Sequence, residues 1–190
     1  LAFYQERVNS ITTLIVIIMM EPRAQEGDFL ETFEGLIFDV KGLVHPPNKI
    51  IAFPRYFPSE TGKREKDGRF YCKVYSILER YQLLQTNFHQ YLVFDPVFDD
   101  TLCEVPVEAV EKHYQPVTRL RELRNADRLD ELESLAVHLA EMLKENANVP
   151  WSSLGVSGSI MVGLHTPESD IDLIVYGSKN CQKVYCALKE

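Results

Sequence analysis

Apolar, β-branched and aromatic residues crowd the stretch 28–58, "DFLETFEGLIFDVKGLVHPPNKIIAFPRYFP", with "HPPNK" separating two such runs. Runs of that composition around a turn predict a β-hairpin or part of an antiparallel sheet. The polar segment "SETGKREKDGRFYCK" then interrupts the apolar pattern, and its Gly and Asp residues predict a loop or a second hairpin turn. In "VYSILERYQLL" the period changes to that of a helix, with Val74, Ile77, Leu78 and Tyr81 on one face. "YLVFDPVF" predicts a short strand ended by Pro96, and "PVEAVEKHY" a short helix with Pro106 in its first turn. The longest helical period is "NADRLDELESLAVHLAEMLKENANVP". Leu129, Leu132, Leu135, Val137, Leu139 and Leu143 form its apolar stripe, Asp127 is its expected N-cap with Glu131 near the first turn, and Pro150 stops it.

After Trp151 the text "LGVSGS" predicts a strand ending at Gly158-Ser159, where the apolar "SIMVGL" begins a helix. Pro167 and Ser169 break that helix, "DIDLIVYG" predicts a strand closed by Gly177, and "SKNCQKVYCALKE" predicts a final helix. The pattern therefore predicts an α+β protein: an extension over 1–27, an antiparallel β-rich module with helices over 28–118, and an α/β core over 119–190. Within the extension, the apolar run "ITTLIVIIMM" is shorter than the roughly 20 residues a bilayer span needs. Glu6 precedes it and "EPRAQEGD" offers no small-residue cleavage pattern, which argues against a signal peptide. A buried strand, or a segment upstream of a natural start near Met19 or Met20, is expected there.

The net charge of -8 argues against a general nucleic-acid binder, because such proteins gain affinity by neutralising phosphates with Lys and Arg. Cys72, Cys103, Cys181 and Cys186 form no C-x-x-C pair and no zinc-type spacing with histidine, so free or buried thiols in a reducing compartment are expected. A cytoplasmic protein with no membrane partner follows as the expectation.

The densest chemistry lies in "GSIMVGLHTPESDIDLIVYG", residues 158–177. A Gly-Ser turn leading into a helix leaves backbone N–H groups and a hydroxyl free for a phosphate. On a strand, Asp170 and Asp172 project to one side while Ile171, Leu173 and Val175 face the other way into a core. Two neighbouring carboxylates repel, and a divalent cation relieves that repulsion. Mg²⁺ suits the pair, since it takes oxygen ligands and commonly binds through one or two carboxylates plus substrate phosphates.

Gly158-Ser159, Gly163 and Ser169-Asp170-Ile171-Asp172-Leu173 together resemble the G-S-x-x-x-G, S-D-x-D-L signature of the nucleotidyltransferase superfamily, which includes DNA polymerase beta, the CCA-adding enzymes and minimal nucleotidyltransferases. The resemblance covers about the last 40 residues. It implies transfer of a nucleoside monophosphate from an NTP to a hydroxyl, with Gly158, Ser159, Gly163 and Ser169 on the nucleotide side and Asp170 and Asp172 binding two Mg²⁺ ions. One ion would activate the acceptor oxygen and the other would steady the leaving pyrophosphate. The acceptor, whether RNA, protein or a small molecule, is left open. The family pattern also places a third carboxylate on a later strand, and the chain ends inside the last helical pattern, so the core is expected to be incomplete there, with an exposed edge prone to self-association. Minimal members carry a basic residue just after Gly-Ser, where this chain has Ile160, Met161 and Val162; Lys179 or Lys183 is the substitute considered. The reading from another class is a regulatory or nucleotide-binding module that keeps the fold and does no chemistry.

Outside the motif, Lys63, Arg64, Lys66, Arg69 and Lys73 beside Phe70 and Tyr71 read either as a solvated hairpin tip or as an acceptor-binding patch, with Arg69 the test residue. His138, within the apolar helix, is expected to pack at the core or its boundary, and His165 is near enough to the motif in sequence to touch a nucleotide. Asp95, Asp99 and Asp100 read as loop acidity.

Overall fold

In β1 (Phe29–Thr32) and β2 (Ile37–Val40) adjacent residues are both buried, because this sheet is covered on both faces. Phe29, Ile37, Tyr56, Tyr71 and Tyr114 turn to one face, whereas Leu30, Phe38, Val40 and Ala52 turn to the other. The computed structural model describes residues 23–189, so the whole apolar run 11–20, and with it the expected buried strand or segment upstream of Met19 or Met20, lies outside the described residues. The architecture is α+β.

The sheet has eight antiparallel strands along the path β4 (Arg64–Lys66), β5 (Arg69–Lys73), β3 (Lys49–Pro58), β2, β1 and β8 (Val110–Tyr114), with β7 (Asp100–Pro106) pairing β3 and β6 (Leu92–Asp95) pairing β7. Asp67 and Gly68, both at positive φ, close the tight β4–β5 turn, as the polar break in the pattern predicted. Asp95 accepts the Val97 and Phe98 amides and so builds the β6–β7 turn, which is the structural use of that acidity.

Three expectations are corrected. Residues 110–114 are the strand β8 paired with β1, and only a single 3₁₀ turn, Val107–Ala109, precedes it; the pairing opposite Phe29–Thr32 overrides the helical start signal at Pro106. Helix α1 (Ile77–Asn87) is capped by Ser76, so Val74 lies before the helix and cannot set its phase. Arg80 and Leu84 are its buried positions, four residues apart, and Ile77 and Leu78 are exposed. The long helix α3 (Glu131–Ala147) is capped by Asp130 in a capping box with Glu133, three residues after the expected Asp127. Its innermost line is Ala136, Ala140 and Ala147; the small side chains allow close approach, while Leu135 and His138 are exposed.

The C-terminal module begins with α2 (Pro116–Arg124), which packs on β9 (Leu154–Val156). β10 (Leu173–Val175) pairs antiparallel with β9, and α3 and α5 (Ser178–Ala187) share one apolar cluster with both strands. Between the strands lies the short helix α4 (Gly158–Val162). Its Met161 and Val162, with Leu164 just beyond, join the face of the sheet that carries Tyr56, Tyr71 and Tyr114. The sheet is thus covered by α1 on one face and by the C-terminal module on the other. No helix among the described residues is long and apolar enough to cross a membrane.

Candidate functional site

The β9–β10 register sets the geometry of the motif. Val156 pairs with Leu173, so the next step of the ladder brings the Ser157 N–H to the Asp172 carbonyl at 2.8 Å. Asp172 is thereby held beside the first residue of α4. Gly158 has φ +63°, and a Cβ built there would stand 2.0 Å from Asp172 Oδ2. Glycine at 158 therefore serves twice: it adopts the left-handed backbone and leaves room for the carboxylate. The Ser157 hydroxyl donates to the Gly27 carbonyl at 2.7 Å, which ties the turn to the segment entering β1.

Asp170 and Asp172 are both exposed and lie just before β10, which begins at Leu173. The expected strand thus starts three residues later than Asp170. The predicted alternation nonetheless survives, because Ile171, Leu173 and Val175 all pack into the C-terminal core. Gly163 and Ser169 have other tasks. Gly163 caps α4 in the left-handed conformation, with open space around its would-be Cβ, and it lines a different cavity from Gly158. The Ser169 hydroxyl accepts the Thr166 amide at 2.9 Å and an Arg64 N–H at 3.3 Å. Arg64 also donates to the Leu164 carbonyl. This one guanidinium, on β4, spans the ends of the loop that delivers Asp170.

A cavity of about 290 Å³ opens where the modules meet, bordered by Gly158, Ser159 and Asp172 on one side and by Arg55, Tyr56 and Lys73 on the other. Asp39 and Lys41 also border it and are paired with each other at 2.9 Å. Burial and the neighbouring Arg55 and Arg64 hold the Lys73 ammonium below its ordinary pKa, against the pull of Asp172 and Asp170. Burial raises the Tyr56 phenol, on which Arg64, Arg55 and Asp172 also act. Arginine, lysine and aspartate charges therefore interleave around one small space.

The basic hairpin thus divides its residues. Lys73 faces the cavity, Arg64 holds the loop, Lys66 binds Glu31 at 2.7 Å, and the Arg69 guanidinium lies over Gly35. Lys183 donates to the Asn148 carbonyl at 3.2 Å, and neither it nor Lys179 borders the cavity. His165 lies 2.6 Å from Asp130 and lines with it a different cavity from that of Gly158 and Asp172. Among the described residues, the group of three ligand-type side chains within 4.8 Å of one another is Asp130, Glu133 and His165, which are already engaged as the α3 cap and with Arg119. Asp170 and Asp172 belong to no such group among the described residues.

Asp172 borders this cavity and Asp170, two residues before it, does not; exposed oxygen donors of this kind suit a hard cation that takes its remaining ligands from water and a bound phosphate. The four cysteines are free, Cys103 buried and Cys181 and Cys186 exposed, and none borders this cavity.

The chain is 38% identical over 172 residues to an uncharacterized protein of Methanocaldococcus jannaschii, a match covering 86% of this chain and 50% of the relative. The chain spans about half the length of the curated relative it matches. No family profile and no solved structure matches it.

Proposed function

We propose that the protein is a Mg²⁺-dependent nucleotidyltransferase, moving a nucleoside monophosphate from an NTP to a hydroxyl acceptor. The observation that carries this reading is the seating of the Asp172 carboxylate against Gly158, at the edge of a cavity that Ser159 also borders. It supports the reading because a phosphate cradle and a metal-binding carboxylate are then adjacent, as phosphoryl-group transfer requires.

In this reading Gly158 and Ser159 receive the triphosphate, and Asp170 and Asp172 hold Mg²⁺. When bound, Mg²⁺ offsets the negative charge that gathers on the phosphates during transfer. The chain's own part is positioning. Arg64 fixes the loop before Asp170, and the Ser157–Asp172 backbone bond fixes the second carboxylate. The new bond forms between the acceptor oxygen and the α-phosphorus as the bond to pyrophosphate breaks, and the hydroxyl proton leaves to solvent.

Titration calorimetry with ATP, GTP, CTP and UTP, each with and without Mg²⁺, tests the proposal. Mg²⁺-dependent binding of at least one NTP is expected, with Asp170→Asn and Asp172→Asn each abolishing it while the circular dichroism spectrum stays unchanged. Metal-nucleotide affinity equal to wild type in both variants contradicts the assignment. NTP binding with no nucleotidyl transfer to any RNA, protein or small-molecule acceptor moves the protein to the non-catalytic class.

A further inference from the structure

Arg55 is a cation within the largely apolar strand "KIIAFPRYFP"; it is the extra residue where the β2–β3 register shifts, Ile37 pairing with Tyr56 and Phe38 with Pro54, while Lys73 on β5 pairs with Tyr56. Both border the cavity opposite Gly158, Ser159 and Asp172. Among the described residues no carboxylate oxygen lies within 4.0 Å of either cation, whereas the neighbouring Lys41 has Asp39 at 2.9 Å. Behind Arg55 stands Arg80 of α1, 7% exposed, with its Nε unbonded among the described residues and Arg55 and Asp39 as its charged neighbours. Like charges crowded into a half-buried space repel, and the crowding is relieved by a ligand that carries several negative charges. Arg and Lys are also the side chains that hold phosphate oxygens, Arg by a two-pronged contact and Lys as a point charge.

We propose that the N-terminal sheet supplies half of the substrate site, Arg55 and Lys73 gripping the polyphosphate of the ligand from the side opposite the Gly158-Ser159 turn. This rests on the nucleotide reading above for the identity of the ligand, but the chemistry recognised is a linear polyphosphate. The cations take the place of the basic residue absent after Ser159, where Ile160, Met161 and Val162 are all buried. The β-rich module is then part of the binding site as well as a support for it.

The experiment titrates inorganic tripolyphosphate without metal, and Mg·ATP, into the full chain and into Arg55→Gln, Lys73→Gln, the double variant, Arg55→Lys and Asp172→Asn. Thermal melts of every variant check that the fold is retained. Tripolyphosphate binding by wild type is expected, weakened about tenfold by either Gln substitution and about a hundredfold in the double variant, as loss of a charge-assisted contact entails. Arg55→Lys should recover part of the loss. Equal tripolyphosphate affinity in wild type and the double variant overturns the proposal, as does a wild type that binds none. Asp172→Asn separates the two readings: loss of Mg·ATP binding there with unchanged affinity in the double variant removes the clamp and keeps the nucleotide site. Tripolyphosphate binding that depends on Arg55 and Lys73, with no Mg²⁺-dependent NTP binding, keeps the clamp and removes the nucleotide reading.

Discussion

Gly158 and Gly163 share a left-handed backbone, φ +63° and +71°, but differ in what stands next to them. Gly163→Ala adds a methyl into open space and should cost only the conformational term, about 1–2 kcal/mol by chemical denaturation. Gly158→Ala carries the same term and also drives a methyl into the Asp172 carboxylate, so it should abolish Mg²⁺-dependent NTP binding while Gly163→Ala retains it. Equal NTP affinity in the two variants would contradict the placement of Asp172. Glu31 offers a prediction in pH. Burial alone would raise its carboxyl pKa, but hydrogen bonds from Lys66 and Tyr114 and the Lys66 charge more than offset this and hold it below the ordinary 4.5. A carboxylate with a depressed folded pKa contributes stability that is present above its unfolded value and lost as pH falls through the folded value. Glu31→Gln should therefore destabilise the protein by about 1–2 kcal/mol at pH 7. The difference should shrink as pH falls below 4.5; a difference that stays constant through that range would contradict the network.

At the scale of elements, β9 carries the motif on one end and α2 on its flank. A Cβ at Gly155 would stand 2.5 Å from Pro116 Cβ and 2.6 Å from the Pro116 carbonyl carbon, so Gly155 sets how closely α2 approaches the strand. Gly155→Ala should cost about 1–3 kcal/mol as overpacking against backbone, read by urea denaturation. A neutral substitution would mean that α2 is not held against β9. The elements themselves were legible to different degrees. The Asp67-Gly68 turn, the strand ending at Pro96 and the Gly158 start of α4 follow from local rules, since each depends on residues a few positions apart. Strand β8 was not legible, because its partner β1 lies some 80 residues earlier and the pairing outweighs a local helix signal. In α3, the alanines at the contact line were hidden behind the more conspicuous leucines. The carboxylates and Gly-Ser turn were readable from spacing; the cations facing them were not. Lys73 stood out only as one of several basic residues in a hairpin. Arg55 left a fainter mark, a single charge in an apolar strand, and only the folded sheet brings it opposite Ser159.

At the scale of the molecule, the sheet and the C-terminal module share one interior. Leu164, fully buried, sits with Met161 and Val162 among tyrosines from the sheet, and Arg64 reaches across to the same loop. The two modules should therefore unfold together, with Trp151 fluorescence from the C-terminal module and far-ultraviolet circular dichroism from the whole giving coincident midpoints. Leu164→Ala should lower both by the same amount, corresponding to about 2–5 kcal/mol; two separated midpoints would contradict a common core. The same junction holds the candidate site, so that joining the modules and forming the cavity are one event. The most direct test of that claim is the anomalous scattering of Mn²⁺ in crystals of the full chain grown with an ATP analogue whose α,β-bridging oxygen is a methylene. A manganese peak contacting Asp170 and Asp172 is expected, with the analogue's phosphates between Ser159 and the Arg55–Lys73 pair. Manganese and analogue bound elsewhere, with this cavity holding only solvent, would contradict it.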